Sequence, residues 1–334
     1  DYISGSFDWY QRTTTGMLTT NAVAATFGAS SPMTNQGDMR DRGFEVGINL
    51  NYPVNKNLKL FAILSLANDK AVITKWNNPA KVINEYYSGA VYGAIWGFVT
   101  QGFFQSPEDV AKSPSQAALQ FGNFVYGPGD IKFADINHEG KIDAGNATAT
   151  NHGDLTVIGN TQPQYLYGAQ LGGSWKGFDL YIFLQGVGKR NLWGLGDMAI
   201  PLYSGAQILY QNQLNYWTPT NTNAYYPVPY AGNSGAPIPG LARGDNNFYP
   251  QTKYLLNLAY CRLKNVTIGY TLPKEWSDKI HLQKIRVYLS GENLTEIAHV
   301  GVPLDPEITD GQFGYTGRTF PFERNYSFGA QVTF

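Results

Sequence analysis

The chain has 334 residues, with 24 Lys or Arg against 25 Asp or Glu, so its formal charge is −1 and only 15% of its residues are charged. Near-neutral charge without a basic cluster or a long like-charge block argues against a nucleic-acid surface and against charged disordered tails. No apolar run approaches the roughly 20 residues of a spanning helix, and the one cysteine, Cys261, excludes both an internal disulfide framework and a cysteine-based zinc cluster.

Thirty-seven glycines, 18 prolines and 48 aromatic residues make a turn-rich composition of the β type. Period-two alternation, in which successive side chains face opposite sides of a sheet, predicts eight strands. In chain order they cover about 2–13, 44–52, 57–70, 164–175, 178–186, 260–272, 284–295 and 325–334. In the second, Phe44, Val46, Ile48, Leu50 and Tyr52 form an apolar row against Glu45, Gly47, Asn49 and Asn51. In the last, Tyr326, Phe328, Ala330, Val332 and Phe334 oppose Ser327, Gly329, Gln331 and Thr333. The links at 53–57, 176–177 and 273–283 are short, whereas those at 14–42, 71–163, 188–259 and 296–324 are long. Short and long connections in alternation are the pattern of an outer-membrane barrel, with tight turns at one rim and long loops at the other. The competing reading is a soluble all-β protein with one face of its sheet on a core. The polar row that holds Glu45, Asn49, Arg286 and Glu292, and the Tyr and Phe closing the apolar row, favour the barrel.

Two loop segments carry further signals. Asp135-Ile-Asn-His-Glu-Gly-Lys-Ile-Asp143 has the spacing of a calcium loop, with Asp135, Asn137, Glu139, the Lys141 carbonyl and Asp143 as oxygen ligands and Gly140 at the sharp turn. Glu at the fifth position is longer than the usual Asp, and Asn146 lacks a bidentate carboxylate, so a polar turn held by Asx bonds is the other reading. The loop over 188–259 is loaded with aromatics, among them Trp193, Tyr216 and Trp217. Singly, each more simply packs the loop's own core; as a group they suit a binding surface. Catalytic patterns are missing: there is no Gly-x-Ser-x-Gly elbow, phosphate loop or His-Glu-x-x-His pair, and the four histidines lie far apart. The pair Asp305 and Glu307 could serve acid/base work on a glycoside, but the expectation is no enzyme.

Four segments then resemble one family. Tyr260-Cys-Arg-Leu-Lys-Asn-Val-Thr-Ile-Gly-Tyr-Thr-Leu-Pro273 is similar to a segment of the SusC/RagA family of TonB-dependent outer-membrane transporters. So are Ile285–Leu294 followed by Asp305-Pro-Glu307, Gly129–Asp143, and Ile158–Pro163 leading to Gly168, in the family's order. The resemblance implies an all-β transmembrane antiparallel barrel of 22 strands, of which residues 1–334 are the C-terminal part of about eight. The family's plug domain, TonB box and signal peptide are not in this sequence, whose start, without a Met, reads as processed or as part of something longer. The resemblance further implies a cell outer-membrane location and active import of oligosaccharides or peptides, energised by TonB through an upstream plug. Its implied partners are a SusD-like surface lipoprotein as lid, outer-membrane lipid and a higher-order dimer of such pairs, with no nucleic acid. Glu45, Asn49, Arg286 and Glu292 would then face the solute path, and Trp193, Tyr216 and Trp217 would contact the lipoprotein. The family's repetition of the 135–143 spacing favours Ca2+ there. The alternative from another class is a passive porin-like or adhesive barrel.

Overall fold

The computed structural model describes residues 2–20, 33–121, 124–203, 208–230, 246–307 and 320–334. In chain order the strands are β1 (Ile3–Thr20), β2 (Met33–Pro53), β3 (Leu58–Lys75), β4 (Ala94–Gly97), β5 (Thr100–Phe103), β6 (Ile131–Phe133), β7 (Thr156–Asn160), β8 (Gln164–Trp175), β9 (Phe178–Lys189), β10 (Asn191–Trp193), β11 (Leu255–Asn257), β12 (Tyr260–Thr271), β13 (Lys284–Ala298) and β14 (Asn325–Thr333). Among the described residues there are also two short α-helices, α1 (Pro107–Lys112) and α2 (Lys274–Asp278), and 3-10 turns at Ala117–Leu119 and Gln211–Gln213. Eight strands form one sheet in the order β1-β2-β3-β8-β9-β12-β13-β14, every neighbouring pair antiparallel. They are the eight alternating segments, and the three small sheets lie in the long connections.

Because directly opposed residues of an antiparallel pair point to the same side, the register sorts the sheet into two faces. One carries Phe7, Val46, Leu66, Leu184, Leu289 and Phe328; several are open, with Phe7 68%, Leu289 63% and Phe328 75% exposed. A row of large apolar side chains on an open face is what contact with hydrocarbon requires. The other face carries Ser6, Glu45, Ser65, Gln170, Gln185, Thr267, Ser290 and Ser327. Antiparallel succession also places the links at 54–57, 176–177 and 272–283 at one end and all the long ones at the other.

The sequence expectation is corrected at 14–42. Most of that stretch is strand: β1 and β2 stay paired from Ile3–Leu50 up to Thr20–Met33, with register shifts near Met17, and residues 21–32 lie outside the described residues. Here Thr, Asn, Asp and Arg occupy both faces, so the alternation fades while backbone pairing continues above the apolar band.

The core is not in the sheet. Two long connections, 76–163 and 190–259, build a joint one: Phe98, Phe104, Ile131, Phe133 and Ile142 from the first meet Ile200, Trp217, Tyr226, Phe248 and Tyr254 from the second. Backbone bonds stitch them, Phe98 N–H to Pro250 O at 2.8 Å and Thr252 N–H to Phe98 O at 3.1 Å. Tyr226 and Tyr254 stack at 5.6 Å with their planes 10° apart. The ammonium of Lys253 lies 4.8 Å from the Phe103 ring.

Candidate functional site

The polar face and the lobe above it hold the chemistry. Four residues expected to line a solute path, Glu45, Asn49, Arg286 and Glu292, all lie on the polar face, Glu45 opposite Asp8, Asn49 opposite Ser4, Arg286 opposite Gln331 and Glu292 opposite Asn325. Glu45 and Asp8 border a cavity of about 560 Å³ floored by Ser6, Gly47, Ser65 and Gly168. Arg286 is engaged: from β13 it reaches across β12 to Asp179 on β9 in a bidentate pair, at 2.9 and 2.5 Å. Its path crosses Gly269, where a Cβ would sit 2.4 Å from the guanidinium, so a larger residue there would push the Arg286 side chain off its present path. Asp179 gave no separate signal, although it stands in the polar row of its strand.

A second ionic group, missed as a unit, sits higher on β12. Arg262 is buried and pairs with Glu296, with Asp305 at 2.7 Å and with Glu307 at 2.8 Å, while Lys264 holds Glu307 at 2.6 Å. The Phe322 ring caps both cations, 5.1 Å from Arg262 and 4.4 Å from Lys264. Burial would push the Asp305 carboxyl up, but the Arg262 guanidinium and the backbone N–H groups of Glu307 and Phe322 hold it below the usual carboxylate range. The Asp-Pro-Glu segment is thereby clamped onto the polar face. Neither carboxylate is free to act as a general acid or base.

In the lobe, Asp130 is fully buried and accepts from Asn247 Nδ2 (2.7 Å), Gly127 N (2.8 Å) and Tyr230 Oη (3.1 Å), joining the two connections. Burial raises its carboxyl to about 6 against those three bonds. Of the three aromatics expected at a partner surface, Trp217 is buried, 7% exposed inside the joint core, while Trp193 and Tyr216 are half-buried and pack against that core. A connection of some 70 residues must bury its own aromatics to stay folded.

The 135–143 segment forms a turn in which Asp135 accepts from Glu139 N and Gly140 N, with φ of 60° at His138 and 83° at Gly140. Glu139 and Asp143 converge with Asp154, their oxygens within 4.8 Å of one another. Asp154, fully buried, takes the backbone N–H of Ile136 and of Asp143 and was not singled out in the sequence, since it follows the motif by eleven residues. The donor set is that of a hard cation. The Lys141 ammonium lies 2.5 Å from Asp143 and 3.4 Å from Glu139, and holds the Asp143 carboxyl below its usual range.

No family model matches the chain. Two curated relatives come from Formosa agariphila. TonB-dependent receptor P3 is 25% identical over 98% of this chain and 32% of its own length, and TonB-dependent receptor P26 is 22% identical over 99% and 33%. The chain thus spans about a third of the length of the curated relatives it matches. Among solved structures, the RagAB peptide importer superposes in its open-open state with a TM-score of 0.70 and in its closed-closed state with 0.68. Both are 20% identical, over 99% and 100% of this chain and 33% and 34% of the other. This is a likeness of fold, and it extends over the whole sheet and the lobe.

Proposed function

We propose that this chain, which is of the SusC/RagA type of TonB-dependent receptor and seated in the outer membrane, is the C-terminal barrel portion of an active importer. Its eight strands continue a larger barrel, with the plug in sequence upstream of residues 1–334 and TonB acting on that plug. The observation that carries the reading is the two-faced sheet with every long connection at one end, shared along the full chain with the RagAB fold. The apolar face meets lipid; the polar face, with Glu45, Asn49 and Glu292, borders the solute path. Oligosaccharides or peptides are the cargo, and a SusD-like lipoprotein closes the extracellular rim, in a dimer of such pairs. Tyr210 and Leu214, 40% and 59% exposed on the lobe, supply open apolar surface for that lid.

A Ca2+ ion belongs to the same reading. Asp135, Asn137, Glu139, the Lys141 carbonyl and Asp143, with Asp154 beneath, would hold it, and the Lys141 side chain would turn away as the ion takes over the neutralisation of Glu139 and Asp143. Bound there, calcium supplies order to an extracellular turn and no chemistry.

The test is uptake of labelled oligopeptide and oligosaccharide mixtures by cells, with and without a functional TonB system, together with gentle detergent extraction. Energy-dependent uptake and co-extraction of a lipoprotein are expected. Uptake that continues unchanged without TonB, by a barrel recovered alone, would leave a passive pore as the better account.

A further inference from the structure

On the outward side of β1, β2 and β3 the apolar band ends abruptly. Its rows run from Tyr52–Leu60 up through Ile3–Leu50–Ala62, Gly5–Ile48–Leu64 and Phe7–Val46–Leu66 to Trp9–Phe44–Asn68. From Tyr52 to Phe44 is eight residues, about 26 Å along the strand, which a tilt of roughly 40° turns into about 20 Å of height, most of a lipid-facing band of about 25 Å. Tyr2 and Tyr52 stand at one margin, 5.8 Å apart, and Trp9 with Phe44 at the other. The next row toward the long-loop end is Gln11–Arg42–Lys70, and the one above it Thr13–Arg40–Val72.

Arg42 and Lys70 are therefore direct partners across two strands, an arrangement of like charges that destabilises a sheet unless an anion lies between them. Arg40, two residues along β2, stands on the same side about 7 Å away. Arg42 donates from Nε to Gln11 Oε1 at 2.8 Å, which lays its guanidinium across the row. Among the described residues none of the three cations has a carboxylate within salt-bridge distance. The nearest acid of that side, Asp38, is opposite Lys75. Asp41 and Asp69 face the polar side, where Arg12 pairs with Asp41 at 2.9 Å.

We propose that Arg40, Arg42 and Lys70 form a docking site on the outer wall for the phosphate group of an anionic lipid headgroup in the extracellular leaflet. The geometry commits to a lipid. The cations adjoin the apolar band directly, so a lipid whose chains lie on Phe7, Val46 and Leu66 brings its headgroup to their height. The guanidinium offers paired donors to phosphate oxygens and the ammonium a point charge, and a basic group of this kind beside a membrane-embedded surface is suited to headgroups. The inference rests on the outer-membrane reading above.

The experiment takes the whole outer-membrane protein that carries this sequence, as parent and as R40Q/R42Q/K70Q, in nanodiscs of phosphatidylcholine doped with diphosphorylated lipid A or with the same lipid stripped of phosphate. Lipid retained after detergent release is counted by native mass spectrometry. Each charge contributes roughly fivefold, so the triple variant should lose phosphorylated lipid on the order of a hundredfold, while stripped lipid binds both proteins alike. Equal retention of the phosphorylated lipid by parent and variant overturns the site. So does equal retention of phosphorylated and stripped lipid by the parent, or displacement of the lipid by millimolar inorganic phosphate. If the triple variant fails to assemble, R42Q and K70Q singly must each lower retention; unchanged retention in both overturns the site. Fractionation separates the two readings. Parent protein absent from the outer membrane sinks the barrel itself, whereas a correctly seated, heat-modifiable variant with unchanged lipid sinks only this inference.

Discussion

Asp130→Ala should open the lobe without releasing the sheet. In the parent the carboxylate accepts three hydrogen bonds in a fully buried position, each worth about 1.5–3 kcal/mol when the acceptor is charged. Burial outweighs those bonds: with all three in place the carboxyl is still raised from 3.8 to about 6, so the charged form is disfavoured by about 3 kcal/mol at neutral pH. Truncation leaves the Asn247, Gly127 and Tyr230 donors without this acceptor, and since an unsatisfied buried donor costs about 1–3 kcal/mol, the lobe should lose on the order of 3 kcal/mol at pH 7. The sign of the pH dependence follows from which state holds the proton more tightly. The native lobe does, so Asp130 adds stability as pH falls from above 6 toward 3.8, and that gain is absent once pH rises through 6. Asp130→Asn is neutral at every pH, yet it turns an NH2 toward one of three donors and loses the same slope. Hydrogen exchange of the Ile131, Phe133 and Tyr254 amides, corrected for intrinsic rate, should show parent protection rising between pH 7 and 4 relative to both variants. Unchanged protection in Asp130→Ala, or a parent-like pH slope in either variant, would refute the reasoning.

Arg262→Met leaves Asp305 and Glu307 without their guanidinium in a largely buried place and should cost about 3–5 kcal/mol locally, releasing the 299–307 segment to protease while the heat-modifiable barrel persists; resistance equal to the parent's would make the cluster ornamental. Asp135→Ala with Asp143→Ala should abolish any calcium protection of the 129–146 segment against proteolysis, and a chelator should do the same to the parent; indifference of the parent to chelator counts against the ion. Trp217→Ala removes a large buried ring and should destabilise the lobe by about 3–5 kcal/mol, read as lost protection at Phe98 and Phe248, before it alters lipoprotein binding; loss of binding with intact protection would restore Trp217 as a contact.

What could be read from the sequence followed the bilayer. Where a strand has lipid on one side and polar groups on the other, side chains alternate, and the eight strands appear at nearly their true places, down to 164–175 and 260–272 against Gln164–Trp175 and Tyr260–Thr271. Beyond the band that contrast vanishes. The upper halves of β1 and β2, with Thr13, Thr14, Asn35 and Gln36 free to sit on either side, left no period to detect. The lobe was illegible for another reason: its core joins residues such as Phe98 and Phe248 across the β8–β9 hairpin, and no local pattern reports that. Arg262 could be placed in the polar row of β12, but its three acids lie 34 to 45 residues onward, one strand and one loop away. Aromatic composition does not tell which rings a long connection buries: Trp217 goes into the interior, whereas Tyr210 of the same connection stays 40% exposed.

The joint core also orders events in time. Thr100 bonds to Gln251 and Thr252 across 151 and 152 residues of chain, so the joint core cannot close until the segment through Tyr254 has emerged, whatever local pairing 76–163 makes first. Between them lies the whole β8–β9 hairpin. Closing so large a loop is entropically expensive if the ends must search freely, but insertion of that hairpin beside β3 brings the two connections to the same rim at no further cost. The lobe is therefore a late event that succeeds only on a correctly zipped wall. A sheet with a misregistered β8 or β9 would leave the two aromatic-rich connections without their shared core, with rings such as Phe98 and Phe248 exposed.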